Sequence, residues 1–129
     1  MHDATMERDS LSKVLIAIVE DDRHLLAALE SLLQSAGYEV LLYSSGEDFL
    51  ASDRLEDINC MISDIGLPGI NGIELLRVVH ASRPDLPVII ITARREPALL
   101  KAAMDAGARA TLVKPLHNAE LFNAIAAAR

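Results

Sequence analysis

Cys60-Met61-Ile62-Ser63-Asp64-Ile65-Gly66-Leu67-Pro68-Gly69-Ile70-Asn71-Gly72 joins an apolar run to a turn-rich segment through one carboxylate. Residues 58–62 predict a buried strand that ends at Asp64. A central strand cannot continue through Pro68, so the backbone must leave the sheet just after Asp64. That puts a single acid at the carboxyl end of a strand, the edge where open α/β sheets place their active sites.

Working outward, the flanking segments alternate between two periodicities. Upstream, residues 14–19 form a continuous apolar run rich in β-branched residues, as expected of a parallel strand covered on both faces. The run stops at Glu20-Asp21-Asp22. Leu25, Leu26, Leu29, Leu32, Leu33 and Ala36 then recur at helical spacing, and Gly37 follows as a C-terminal cap. Residues 39–43 predict a second strand. Ser45 or Gly46 opens a short helix through Leu50, and residues 51–57 form a polar loop. Downstream of Asp64, a helix is expected over residues 71–82. A strand over 88–91 ends at Thr92. A helix follows from Pro97 through Met104, closing at Gly107. A short strand over 110–113 ends at Lys114-Pro115, and Asn118 caps a last helix. Residues 1–12 lack periodicity and are expected to form a flexible tail, with the domain spanning 13–129.

Five βα repeats imply a doubly wound five-stranded parallel sheet with right-handed crossovers and helices on both faces. Glu20, Asp21, Asp64, Thr92 and Lys114 then all fall at carboxyl ends of strands. A lone acid at a strand end is ordinary solvated surface. Three acids with a threonine and a lysine at matching strand ends are not explained that way. Each pair of like charges at ~4 Å costs on the order of 1–4 kcal/mol, depending on the local dielectric. Lys114 offsets part of this cost. The remainder suits a small hard cation with oxygen ligands, which describes Mg²⁺. His24, His80 and His117 are scattered, and neither His nor Cys clusters here, which argues against zinc.

Composition narrows the alternatives. At 129 residues with 51% hydrophobic and 24% charged content, the chain fits one globular domain with a sizeable core. Aromatics make up only 3%, so the core must be aliphatic and no platform exists for stacking bases. A net charge of −7 argues against direct contact with a nucleic-acid backbone. The single cysteine, Cys60, rules out an internal disulfide and reads as a small buried hydrophobe. The first residues lack the apolar core of a signal peptide, and the apolar runs are too short to span a bilayer. A cytoplasmic protein without membrane contact is therefore expected.

The motifs, taken in order, resemble the receiver domain of two-component response regulators from Lys13 onward. They are Glu20-Asp21 after strand one, Asp64-x-x-Leu67-Pro68-x-x-Asn71-Gly72 after strand three, Thr92-Ala93 after strand four and Lys114-Pro115 after strand five. The resemblance implies a flavodoxin-like sheet of order 2-1-3-4-5 and a cis Lys114-Pro115 bond. It also implies that Asp64 is the phosphoacceptor and a metal ligand, and that Asp21, assisted by Glu20 through water, holds Mg²⁺ with it. The Gly66 carbonyl would complete the metal site, and Thr92 and Lys114 would bind phosphoryl oxygens. The implied donor is a histidine kinase or histidine phosphotransfer protein. Such a domain catalyses its own phosphorylation and dephosphorylation without being a conventional turnover enzyme.

Two positions depart from the family pattern. Thr111 stands where the family usually has Tyr or Phe, the ring that moves on activation. Gly66 and Arg94 each lie two residues beyond a motif residue, on the approach of the hydrolytic water in the family. Output is expected through protein contacts on the face built from the fourth helix, fifth strand and fifth helix, near Lys101, Thr111, Leu121 and Phe122, with a homodimer on phosphorylation as one outcome. The sequence ends within that last helix and fits a stand-alone regulator and a piece of a longer protein equally. The alternative function is a degenerate receiver acting as a phosphorylation-independent interaction module, motivated by Thr111. A nucleotide- or flavin-binding enzyme is disfavoured because Glu20-Asp21-Asp22 stands where a glycine-rich phosphate loop would be needed.

Overall fold

Alternate residues of each strand point to opposite sides of a sheet, and here both sides are apolar. The computed structural model describes residues 14–128, so the tail expected over residues 1–12 lies outside the described residues. Five strands, β1 (Leu15–Val19), β2 (Glu39–Tyr43), β3 (Cys60–Asp64), β4 (Val88–Thr92) and β5 (Ala110–Val113), alternate with five helices. These are α1 (Arg23–Ser35), α2 (Gly46–Ala51), α3 (Gly72–Ser82), α4 (Pro97–Asp105) and α5 (Asn118–Ala128). The sheet is parallel, in the order β2-β1-β3-β4-β5.

The two faces of the sheet bury separate clusters. Ile16, Ile18, Cys60, Ile62, Ile89 and Ile91 pack with Leu29 and Leu33 of α1 and with Leu121 and Ile125 of α5. Ala17, Val19, Met61, Val88 and Ile90 pack with Phe49 of α2, Leu75, Leu76 and Val79 of α3, and Ala103 of α4. Burying one such aliphatic side chain contributes about 1.5–3 kcal/mol. This two-sided demand explains why β3 and β4 are buried at every position. Tyr43 and Phe49 supply an edge-to-face ring pair at 5.2 Å.

Local signals set most of the boundaries. Asp22 caps α1, its carboxylate accepting from His24 N–H and Leu25 N–H. Gly37 adopts φ +94° just past the end of α1, a conformation open to glycine without the Cβ penalty. Ser45 caps α2. Asn71 and Glu74 form a reciprocal capping box at the start of α3. Several boundaries differ from expectation by a residue or two, three of them at buried or capping positions. Val14 is buried but precedes β1, where its carbonyl accepts from Glu39 N–H. Ile58 is buried outside β3, its carbonyl held by the Arg83 guanidinium at 2.8 Å. Asn118 is the first residue of α5, and the preceding carbonyl of His117 accepts the Leu121 N–H. In each case an apolar or capping signal ran one or two residues beyond the backbone pattern.

Candidate functional site

The strand order reverses between β1 and β3, and the crevice at such a reversal is where doubly wound sheets bind ligands. β1 runs directly into Glu20, and β3 ends in Asp64. Carboxylate oxygens of Glu20, Asp21 and Asp64 all lie within 4.8 Å of one another. From the far side of the sheet, Lys114 reaches in behind β5. Its Nζ donates to Glu20 Oε1 at 2.9 Å and to Asp64 Oδ2 at 3.1 Å.

Each carboxylate has its own environment. Glu20 is fully buried. Its Oε1 accepts from Lys114, and its Oε2 accepts from the Asp22 N–H at 2.9 Å. Burial is the largest influence on Glu20 and pushes its pKa above the usual carboxylate value, although both hydrogen bonds oppose the shift. Asp21, in contrast, is exposed. Asp64 is buried, with Oδ2 facing Lys114 and Oδ1 accepting from the Gly66 N–H at 3.2 Å. Burial disfavours the Lys114 ammonium, but its hydrogen bonds to Glu20 and Asp64 outweigh that and leave its pKa raised.

Thr92 ends β4 and is buried. Its Oγ accepts from the Arg94 N–H at 3.0 Å, which leaves the hydroxyl proton free to donate elsewhere. Its carbonyl accepts from the Lys114 N–H at 2.8 Å, so the backbones of the two residues are tied together. Gly66 opens the loop after β3, with no neighbouring atom where a side chain would stand. A Cβ on Gly72 would collide with the backbone of Asp64 and Ile65, and its N–H donates to the Ile65 carbonyl at 2.8 Å. The chain therefore folds back tightly on the segment that carries Asp64. Lys114-Pro115 is cis.

The cluster can accept a hard divalent cation. Three carboxylates face one ammonium, which leaves two negative charges uncompensated. Oxygens bound to Mg²⁺ at about 2.1 Å sit about 3–4.2 Å apart, so the observed spacing needs only a small contraction. The donors are all oxygen and no His or Cys joins them among the described residues, which suits Mg²⁺ better than a softer metal.

Of the residues singled out by sequence, Glu20, Asp21, Asp64, Gly66, Thr92 and Lys114 gather at this edge. Thr111 does not. It is half-buried on β5, paired in register with Ile90, and lines a separate cleft with Arg95, His117 and Glu120. Arg94 is exposed and paired to Glu96 at 2.8 Å. His24, His80 and His117 are all exposed, and Cys60 is buried as expected. Leu121 packs into the core, with half-buried Phe122 against it. Sequence reasoning missed two residues. Asp22 serves as a helix cap, which its place three residues before Leu25 would have signalled. Glu47 reaches the loop after β3, and nothing in its local sequence announces so distant a contact.

Residues 16–126 match the sequence profile of the response regulator receiver domain. Among curated relatives, Nodulation protein W of Bradyrhizobium diazoefficiens is 30% identical over 120 residues, covering 93% of this chain and 53% of the relative. The transcriptional regulatory protein FixJ of the same organism is 34% identical over 106 residues, covering 82% and 52%. This chain thus spans about half the length of these two relatives. Among solved structures, a CheY-like receiver domain protein from Methanospirillum hungatei superposes with a TM-score of 0.83 at 31% identity, covering 90% of this chain and 93% of that one. A BeF3-activated DrrB receiver domain superposes with a TM-score of 0.83 at 28% identity, covering 90% and 97%.

Proposed function

This chain belongs to the response regulator receiver domain family of two-component signalling, and from that premise we propose that Asp64 accepts a phosphoryl group with the help of Mg²⁺. The observation that carries the proposal is the convergence of Glu20, Asp21 and Asp64 with Lys114 bridging two of them. In the proposed step an Asp64 carboxylate oxygen attacks the phosphorus of a phosphohistidine on a kinase or phosphotransfer protein. The O–P bond forms as the P–N bond breaks, and the leaving imidazole takes up a proton. Bound Mg²⁺ would supply charge neutralisation at the transferring group.

The remaining roles belong to the chain itself. Asp21 is the exposed acid and the principal side-chain ligand. Glu20 has both oxygens engaged by Lys114 and the Asp22 N–H, which supports assistance through water rather than direct ligation. Asp64 and the Gly66 carbonyl complete the metal site. Lys114 stands within hydrogen-bond reach of Asp64 and can follow a phosphoryl oxygen added there, while the Thr92 hydroxyl donates to another. Phosphorylation shifts the population between two states of the loops after β3 and β4. The face of α4, β5 and α5, including Thr111, passes that shift to a protein partner or a second copy of the chain. The unit spans residues 13–129 and acts in the cytoplasm. No helix among the described residues is long and apolar enough to cross a membrane. No observation favours the phosphorylation-independent alternative.

The test is chemical mapping. After incubation with a phosphodonor and Mg²⁺, borohydride reduces an aspartyl phosphate to homoserine, which peptide sequencing locates. Conversion at position 64 is expected. Conversion at Asp21 instead, or labelling that persists in Asp64→Asn, would remove Asp64 from this role.

A further inference from the structure

The loop from Ile65 to Asn71 carries Gly66, and its outer half is held by a residue from a different crossover. Glu47, in the first turn of α2, accepts the Ile70 N–H on Oε2 at 2.8 Å. The same carboxylate lies against Gly69, which turns at φ +70° and where any Cβ would collide with Glu47. Beside it, Gly46 packs so closely on Ile70 that a Cβ there would strike the isoleucine side chain. The first turn of α2 thus forms a seat for Gly69 and Ile70. Most other polar contacts of the loop are local. Gly66 N–H bonds to Asp64, Leu67 N–H to Ile65, and Asn71 N–H to Glu74.

We infer that Glu47 is a positioning residue for the metal site, latching the loop after β3 so that the Gly66 carbonyl and the Asp64 carboxylate are held in their binding arrangement. The inference rests on the proposed function, since it takes Gly66 and Asp64 as metal ligands. Glu47 touches neither metal nor phosphoryl group. Its effect runs through the backbone from Ile70 to Gly66, a segment that Pro68 stiffens by fixing one φ. An unlatched loop samples more conformations, and the apparent affinity falls by the fraction that remains competent. A carboxylate accepting a backbone N–H makes a charge-assisted bond, about twice as strong as a neutral one.

The experiment is an Mg²⁺ titration of the full chain without any phosphodonor, followed by the amide resonance of Gly66. Thermal stability and hydrogen exchange at the Ile70 amide are measured alongside. Glu47→Ala is expected to weaken Mg²⁺ binding about fivefold and to speed Ile70 exchange, with the melting temperature nearly unchanged. Glu47→Gln keeps an oxygen acceptor for the same N–H and is expected to restore affinity to within about twofold of the native protein. An unchanged affinity in Glu47→Ala would overturn the latch while leaving the metal site intact. Equal losses in the alanine and glutamine variants would assign the effect to charge alone and also overturn it. Native protein that binds no Mg²⁺ would instead contradict the proposed function, and this role with it.

Discussion

Glu20 is a carboxylate with no solvent exposure, and that burial has a consequence for pH. Its pKa in the fold lies above the ordinary glutamate value of 4.5, so the folded protein holds this proton more tightly than the unfolded chain does. Ionised Glu20 therefore opposes folding. The penalty is complete above the raised folded value and fades as pH falls through it toward 4.5. Glu20→Gln lacks this titration. The stability of the variant relative to the native protein, measured by thermal melts without divalent cations, should decline as pH falls through the raised folded value toward 4.5. A pH-independent difference would mean that Lys114 neutralises Glu20 completely. Lys114 shifts in the same direction for a different reason. Pairing raises its pKa, so its contribution to stability is whole below the unfolded lysine value and is lost only as pH climbs through the raised one. Below the unfolded lysine value, Glu20 is thus the member of this pair whose titration changes stability.

At the scale of elements, the link between β3 and α3 matters most, because it fixes the backbone next to Asp64. Gly72→Ala would push a methyl into the backbone of Asp64 and Ile65. Overpacking of this kind costs about 1–3 kcal/mol, and the neighbouring capping box of Asn71 and Glu74 cannot absorb it. Urea denaturation should show that loss together with weakened Mg²⁺ binding. Native stability in Gly72→Ala would show that the turn relaxes freely. This element also shows what a sequence can and cannot convey. Pro68, Asn71 and Gly72 announce the end of a strand and the cap of a helix through local backbone chemistry, so both were legible. The apolar runs of β1 and β4 likewise declared a sheet buried on both faces. The Glu47–Ile70 contact spans 23 residues between two crossovers and leaves no periodic trace. The Lys114–Glu20 pair spans 94 residues and became legible only because both residues end strands of one parallel sheet. The engagement of both Glu20 oxygens stayed hidden, since it depends on the side-chain conformation and the Asp22 N–H.

On the scale of the whole molecule, four of the five strands deliver the acids, the threonine and the lysine to one edge of a single sheet. A ligand bound only in the folded state raises stability by mass action. Mg²⁺ at a hundred times its dissociation constant should add about 2.7 kcal/mol, seen as a higher melting temperature that EDTA reverses. An unchanged melting temperature would argue that the carboxylates hold no ion. With a net charge of −7, the domain is suited to partners with basic surfaces rather than to nucleic acid. The central claim is that this edge carries out phosphoryl transfer to Asp64. Its most direct test is the intact mass of the protein after incubation with acetyl phosphate, with Mg²⁺ and with EDTA. A gain of one phosphoryl group that requires Mg²⁺ and vanishes in Asp64→Asn is the result expected here. No gain by folded protein with an active donor, or an equal gain in Asp64→Asn, would contradict it.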